Sequence, residues 1–218
     1  MFTILSTVTL HRRVSLFAIT AAVLLAACGD QPPATSTKSV LPPKPAIPEG
    51  AIPAFTAYYE LHKAARTLAP DLQTASITGV DAEGVKSEQG KYPQWKAVFV
   101  SAAKHQAFTF LYSTVEKGNV LRGINNQGTL PWAGPTQNAE PFSNTDFSID
   151  STAAFQSAAE KGKAWLAKNP DKTITTFALG HSSRYPAPTW FILWGNPAGG
   201  FAAYVNAATG VVANGAAK

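Results

Sequence analysis

Apolar positions along this chain recur with two different periods, and each change of period marks a boundary between elements. From Ala54 to Ala69 the spacing is three or four, placing Phe55, Tyr58, Leu61, Ala65 and Leu68 on one side. That spacing predicts an amphipathic helix, which Pro70 stops. Asp71 then leads into Leu72–Thr78, a β-compatible run, followed by a loop containing Gly84 and Gly90. Pro93-Gln94-Trp95 opens a strand that runs to Ser101. His105–Val115 predicts another, with Phe108, Phe110 and Tyr112 at every second position and therefore on one face. After the Lys117-Gly118-Asn119 turn, Val120–Ile124 predicts a fourth strand.

The same order then begins again. Asp150 is a natural N-cap for a helix over Ser151–Lys168, whose inward stripe is Phe155, Ala158, Ala159, Gly162, Trp165 and Leu166. Asn169-Pro170-Asp171 ends it as Ala69-Pro70-Asp71 ends the first helix. Thr173–Leu179 predicts a strand from its Thr, Ile and Phe content. Pro188-Thr189-Trp190 opens the next, matching Pro93-Gln94-Trp95. Trp190 and Trp194 are four apart, as Trp95 and Phe99 are, so each pair shares a strand face. Asn196–Gly200 turns the chain into Phe201–Asn206, and Thr209-Gly210 turns it into Val211-Val212. The expected fold is α+β, two repeats of a helix packed on an antiparallel β-meander. The repeats are residues 54–124 and 150–214, joined by a connecting loop over 125–149.

The carboxyl end resembles a known family. Trp190-Phe191-Ile192-Leu193-Trp194, the glycine-rich turn, and the phrase Val205-Asn206-Ala207-Ala208-Thr209-Gly210-Val211-Val212 resemble the closing hairpin of PepSY-type domains. Asn206 stands where that family usually has Asp, and the first half lacks the Thr-Gly ending. The resemblance covers residues 151–213, and residues 54–124 by element order. It implies a small exported domain that binds or modulates proteases or cell-wall proteins and has no enzyme activity of its own. The paired helix-plus-sheet layout also looks like that of secreted β-lactamase-inhibitor proteins.

Ahead of these elements the pattern changes character. His11, Arg12 and Arg13 form a cationic front, and Val14–Ala27 is apolar apart from Ser15 and Thr20. These fourteen residues are too few for a membrane-crossing helix, which needs about 20. Leu25-Ala26-Ala27-Cys28 resembles the lipobox of bacterial lipoproteins, and Cys28 is the sole cysteine. The resemblance implies a signal peptide over residues 1–27 and lipidation of Cys28, which would become the new N-terminus. Three acyl chains at about 0.8 kcal/mol per buried methylene make such an anchor effectively permanent. Gly29 follows Cys28, so the Asp that signals inner-membrane retention is missing there, and an outer membrane is the favoured site in a Gram-negative host. Residues 28–53 carry prolines at 32, 33, 42, 43, 45, 48 and 53 and no aromatic residue after the anchor. Such a segment is expected to be a disordered, semi-extended tether.

Charge and chemistry narrow the picture mainly by exclusion. The formal charge of +5 becomes +3 once Arg12 and Arg13 leave with the leader. That suits an anionic envelope surface, but no Lys/Arg stripe points to nucleic acid. Gly180-His181-Ser182-Ser183-Arg184 has Arg184 where a nucleophile elbow needs Gly, and Pro186 and Pro188 prevent the following helix. His62, His105 and His181 are too dispersed for a metal site. Glu140, Asp146 and Asp150 form no acid/base pair, so no catalytic residue, metal or cofactor is expected.

The aromatic residues are more informative. Of five tryptophans, Trp95, Trp165 and Trp190 fit core positions. Trp132 lies in the expected loop from Asn125 to Asp146, where it either plugs the seam between the halves or stands exposed as a partner anchor. Trp132 and Tyr185 are the candidate contact residues. The leading expectation is a lipid-anchored, non-enzymatic module that binds or modulates another envelope protein. The alternative is a glycan- or small-ligand-binding lipoprotein in which those two rings stack on the ligand.

Overall fold

The computed structural model describes residues 46–213. Residues 1–45, which hold the expected signal peptide, Cys28 and most of the expected tether, lie outside the described residues. Helix α1 (Ala54–Ala65) precedes strands β1 (Gln73–Val80), β2 (Gln94–Ser101), β3 (Gln106–Ser113) and β4 (Gly123–Pro131). Helix α2 (Ser151–Lys168) precedes β5 (Ile174–Gly180), β6 (Thr189–Trp194), β7 (Phe201–Asn206) and β8 (Val212–Ala213). The protein is α+β. Its eight strands form one antiparallel sheet in the order β4-β3-β2-β1-β5-β6-β7-β8. Strands β1 and β5 pair at its centre through Ser76↔Gly180, Ile77↔Leu179 and Thr78↔Ala178, and each half of the chain runs outward from there.

A shared sheet gives a shared core. Alternation along the strands sends Trp95, Phe99 and Phe110 from one half, and Phe177, Trp190 and Ile192 from the other, to the helix side. Tyr58 and Leu61 of α1 and Ala154 and Ala158 of α2 close that layer. Trp95 and Trp190 meet edge to face, 6.3 Å between centroids. Trp95 Nε1–H donates to the Ile52 carbonyl at 2.9 Å and Trp190 Nε1–H to the Ile149 carbonyl at 2.8 Å. Both carbonyls belong to the residue two before a helix, so each indole pins the entry of one helix onto the second strand of its own half. Gly162 lets α2 settle closely, because a Cβ there would collide with the Phe201 ring.

The helix N-termini also meet. Pro53 precedes α1 and supplies no side-chain cap. Instead, Ala54 N–H donates to Ser151 Oγ at 2.9 Å and Phe55 N–H to Asp150 Oδ1 at 3.1 Å. The same Asp150 oxygen accepts from Ser151 N–H at 2.6 Å. One carboxylate therefore serves the positive ends of both helix dipoles.

The structure departs from the sequence expectation in three places. Helix α1 ends at Ala65 rather than Ala69, because Thr67 N–H and Leu68 N–H bond three residues back, to Ala64 O and Ala65 O, tightening the turn ahead of Pro70. The fourth strand is Gly123–Pro131, not Val120–Ile124, so the connection begins at residue 132 rather than 125. Asn125-Asn126-Gln127-Gly128 has weak strand propensity, but β3 offers a ladder from Ser113↔Gly123 to Gln106↔Pro131, and that pairing prevails. The third departure concerns the matched Pro-Asp pairs, which do different work. Asp71 holds the β2–β3 turn through Ser101 Oγ (2.6 Å) and Ala103 N–H (2.9 Å), whereas Asp171 meets only Lys172.

Candidate functional site: a cleft on the open face of the sheet

Both helices pack on one side of the sheet, and the alternate residues point the other way. Thr78 of β1, Lys96 and Val98 of β2, Thr109 of β3 and Thr176 of β5 occupy this second face. Val100, Leu111 and Leu193 also lie there and are buried although they are not part of the helix-side core.

Near the centre of that face a cleft of about 290 Å³ opens between the middle strands and the β5–β6 connection. Its existence follows from residue size. The β-bulge between Thr74 and Ser76 turns both Ala75 and Ser76 toward it, while β5 contributes Ala178 and Gly180. A Cβ built on Gly180 meets nothing within 4 Å, so the space above it is empty. Along the side runs an aromatic wall. Tyr185 stacks on Tyr204 at 5.4 Å, and Tyr204 contacts Phe191 at 5.1 Å. The Arg184 guanidinium sits 5.5 Å from the Tyr185 centroid and 5.9 Å from that of Tyr204, holding the two rings together. Burial pushes the Tyr185 phenol above its ordinary pKa.

His181 ends β5 at the rim. Its Nε2 faces the Tyr185 carbonyl at 3.2 Å and its Nδ1 lies 3.6 Å from Glu140 Oε2. Glu140 N–H in turn donates to the His181 carbonyl, so the connecting segment is stitched to the strand end. The pair acts as a structural latch. Near it, Ser182 is three residues from the Tyr185 whose N–H bonds its carbonyl, a turn geometry without a helix behind it.

No protein-family model matches the chain. No curated protein matches it. Among solved structures, it is similar to a protein of Clostridium difficile 630 that is proposed to be a lipoprotein, at 9% identity and a TM-score of 0.41, over 72% of this chain and 90% of that one. At that distance neither fold nor function transfers. Among the described residues, no helix is long and apolar enough to cross a membrane.

The structure separates the two candidate contact residues. Tyr185 is in the cleft wall. Trp132 follows the edge strand β4, half-buried, with its N–H donating to the His105 carbonyl at the β2–β3 turn. It therefore does not plug the central seam, because β4 is the outermost strand of the first half. The buried aromatics of the connecting segment are instead Phe142 and Phe147. Phe142 pairs with Thr74 beside β1, and the two rings meet at 5.6 Å beneath Tyr58. The three histidines are dispersed. His62 stacks on Tyr58 on α1, where burial and then Arg66 lower its pKa, while His105 occupies a turn at φ 52°. Cys28 lies outside the described residues.

Sequence reasoning passed over Tyr204, Phe191 and Gly180. A period-two reading of Phe201–Asn206 puts Ala203 and Val205 inward and Tyr204 outward, which was the available signal. Its significance needed the pairing Phe191↔Tyr204, which joins two outward aromatics across neighbouring strands.

Proposed function

We propose that this protein is a lipid-anchored lipoprotein of the bacterial envelope, held through Cys28, that binds and modulates another envelope protein without catalysing a reaction. The observation that supports this most is the unshared face of the sheet. Two helices cover one side of eight strands, and the other side presents mostly hydroxyl and apolar residues with Lys96 as its charged member among the strand positions named above. A face of that kind has the low charge of an interface centre. The two halves are read as duplicated PepSY-like units, supported by the matching indole-to-carbonyl bonds of Trp95 and Trp190. The outer membrane is the favoured location in a Gram-negative host. A second reading, a glycan- or small-ligand-binding lipoprotein, is favoured by the aromatic cleft in the same face.

The test is affinity capture from envelope extract on the full chain, with Val98→Arg and Trp132→Ala as parallel baits. A stoichiometric protein lost with Val98→Arg and kept with Trp132→Ala supports docking on the sheet face. Loss with Trp132→Ala alone moves the contact to the β4 edge. No partner, with a known envelope pair recovered in the same extract, counts against the modulator.

A further inference from the structure

The cleft brings uncommitted polar groups together beside an aromatic wall. Several buried hydroxyls of the fold are committed: Thr114 Oγ1–H to Gly50 O, Thr189 Oγ1–H to Ala187 O, and Ser113 Oγ–H to Val115 O. In the cleft, the side-chain hydroxyls of Ser76, Ser182, Tyr185 and Tyr204 and the Asn138 amide make no hydrogen bond to any described residue. Their residues line a space with Ala75, Ala178 and Gly180 on the strands and aromatic residues along one side. No Asp, Glu, Lys or Arg lines it, and His181, its one titratable ring nitrogen pair, is occupied by Tyr185 O and Glu140.

We propose that this cleft binds a neutral saccharide, with the less polar face of one sugar ring against the Tyr185–Tyr204 pair and its hydroxyls on the free groups of Asn138, Ser182 and Ser76. Each feature selects for that class. An uncharged lining gives a carboxylate or phosphate ligand no counter-ion, since Arg184 is not among the lining residues and lies over the Tyr185 and Tyr204 rings. A purely apolar ligand would leave the Ser76 and Ser182 hydroxyls without partners once water is expelled, at about 1–3 kcal/mol each. A sugar ring carries C–H groups on one face and donors and acceptors around its edge, matching a wall of aromatic carbon beside a rim of hydroxyls. The volume of about 290 Å³ suits one or two rings, at the small end of the usual range of about 300–1,000 Å³ for ligand sites. This assignment rests on the ligand-binding reading and names its ligand class; it is independent of protein docking on the rest of the face.

The experiment uses the full chain in a detergent without a sugar head group. Cellobiose, N,N′-diacetylchitobiose and phenol are each titrated and followed by saturation-transfer NMR and calorimetry. The expected result is binding of at least one disaccharide, with transfer strongest at ring C–H protons. Gly180→Leu projects a side chain into the space from a strand position with no left-handed backbone, where a Cβ meets nothing within 4 Å. It and Tyr185→Ala should each weaken binding about tenfold or more, with unchanged circular dichroism, while Thr78→Val leaves it unaltered. Disaccharide binding that survives both substitutions overturns the site. No saturation transfer from either disaccharide at about 10 mM overturns the saccharide assignment. In that event, phenol binding that Gly180→Leu abolishes would leave a ligand cleft of apolar specificity, and absence of all three would remove the ligand-binding reading as well.

Discussion

Replacing Asp150 by Ala should destabilise both helices at once, although Asp150 belongs to only one of them. Its Oδ1 caps Ser151 N–H of α2 at 2.6 Å and also takes Phe55 N–H of α1 at 3.1 Å. Loss of an ordinary N-cap costs about 1 kcal/mol. A charge-assisted bond to a second helix adds about 1.5 kcal/mol, and α1 has no cap of its own to compensate. The expected loss is therefore about 2–3 kcal/mol, or a fall in Tm of about 4–12 °C for a domain of this size. Urea unfolding at pH 7 measures it, with an unchanged m-value showing that the cooperative unit is intact. Asp150→Asn keeps an acceptor but removes the charge from both dipoles, and should cost about half as much. Ser151→Ala leaves Ala54 N–H without its 2.9 Å acceptor in a buried position and should cost about 1–3 kcal/mol. If Asp150→Ala costs about 1 kcal/mol or less, the carboxylate caps α2 alone and the reasoning about a shared clasp fails.

Other substitutions probe the core and its ionisation. Trp190→Phe takes the indole donor from Ile149 O and should cost about 1–3 kcal/mol, whereas Ile52 O keeps the Tyr92 N–H at 3.0 Å when Trp95 becomes Phe, so Trp95→Phe should lose less of its stability to the missing bond; a larger urea-midpoint loss for Trp95→Phe would contradict that account. Gly162→Ala should destabilise despite the roughly 1 kcal/mol gain in helix propensity, because the new methyl meets Phe201, and a rise in Tm would show that the ring yields freely. Burial raises the Tyr58 phenol from 10.0 to about 12, with its hydrogen bond to Thr74 opposing. Its contribution to stability is thus complete below pH 10 and is lost between pH 10 and about 12, as the unfolded chain ionises first. Tyr58→Phe should flatten the urea midpoint against pH in that window, and an unchanged slope would assign it to other groups.

The periodicities of the chain were sufficient for the elements with strong local signals. Asp150 followed by spaced small and aromatic residues marked α2 at both ends, Ser151 and Lys168. Alternation in Phe108, Phe110 and Tyr112 marked β3 and its inward face. These signals are local: a helix or strand with one buried side must repeat its apolar residues at its own period. Weakly patterned segments escaped because their conformation comes from a neighbour. Asn125–Gly128 is strand only because β3 lies beside it, and Ala54 and Phe55 are capped only because residues 150 and 151 arrive from nearly a hundred positions away.

The candidate site belongs almost wholly to this second class. Tyr185 was visible as an aromatic in a loop, but its partners Tyr204 and Phe191 read as ordinary strand residues until β6 and β7 pair. Trp132 stood out in sequence for the same reason as Tyr185, and the ladder carried it to the far edge instead. Sequence by itself determined the α+β class and the order of helix and strands, since both depend on side-chain spacing within a segment. Tertiary structure alone decided that two sets of strands make one sheet through β1 and β5, which face stays open, and where small residues leave a cleft. Those outcomes depend on distances between segments, which no spacing along the chain records.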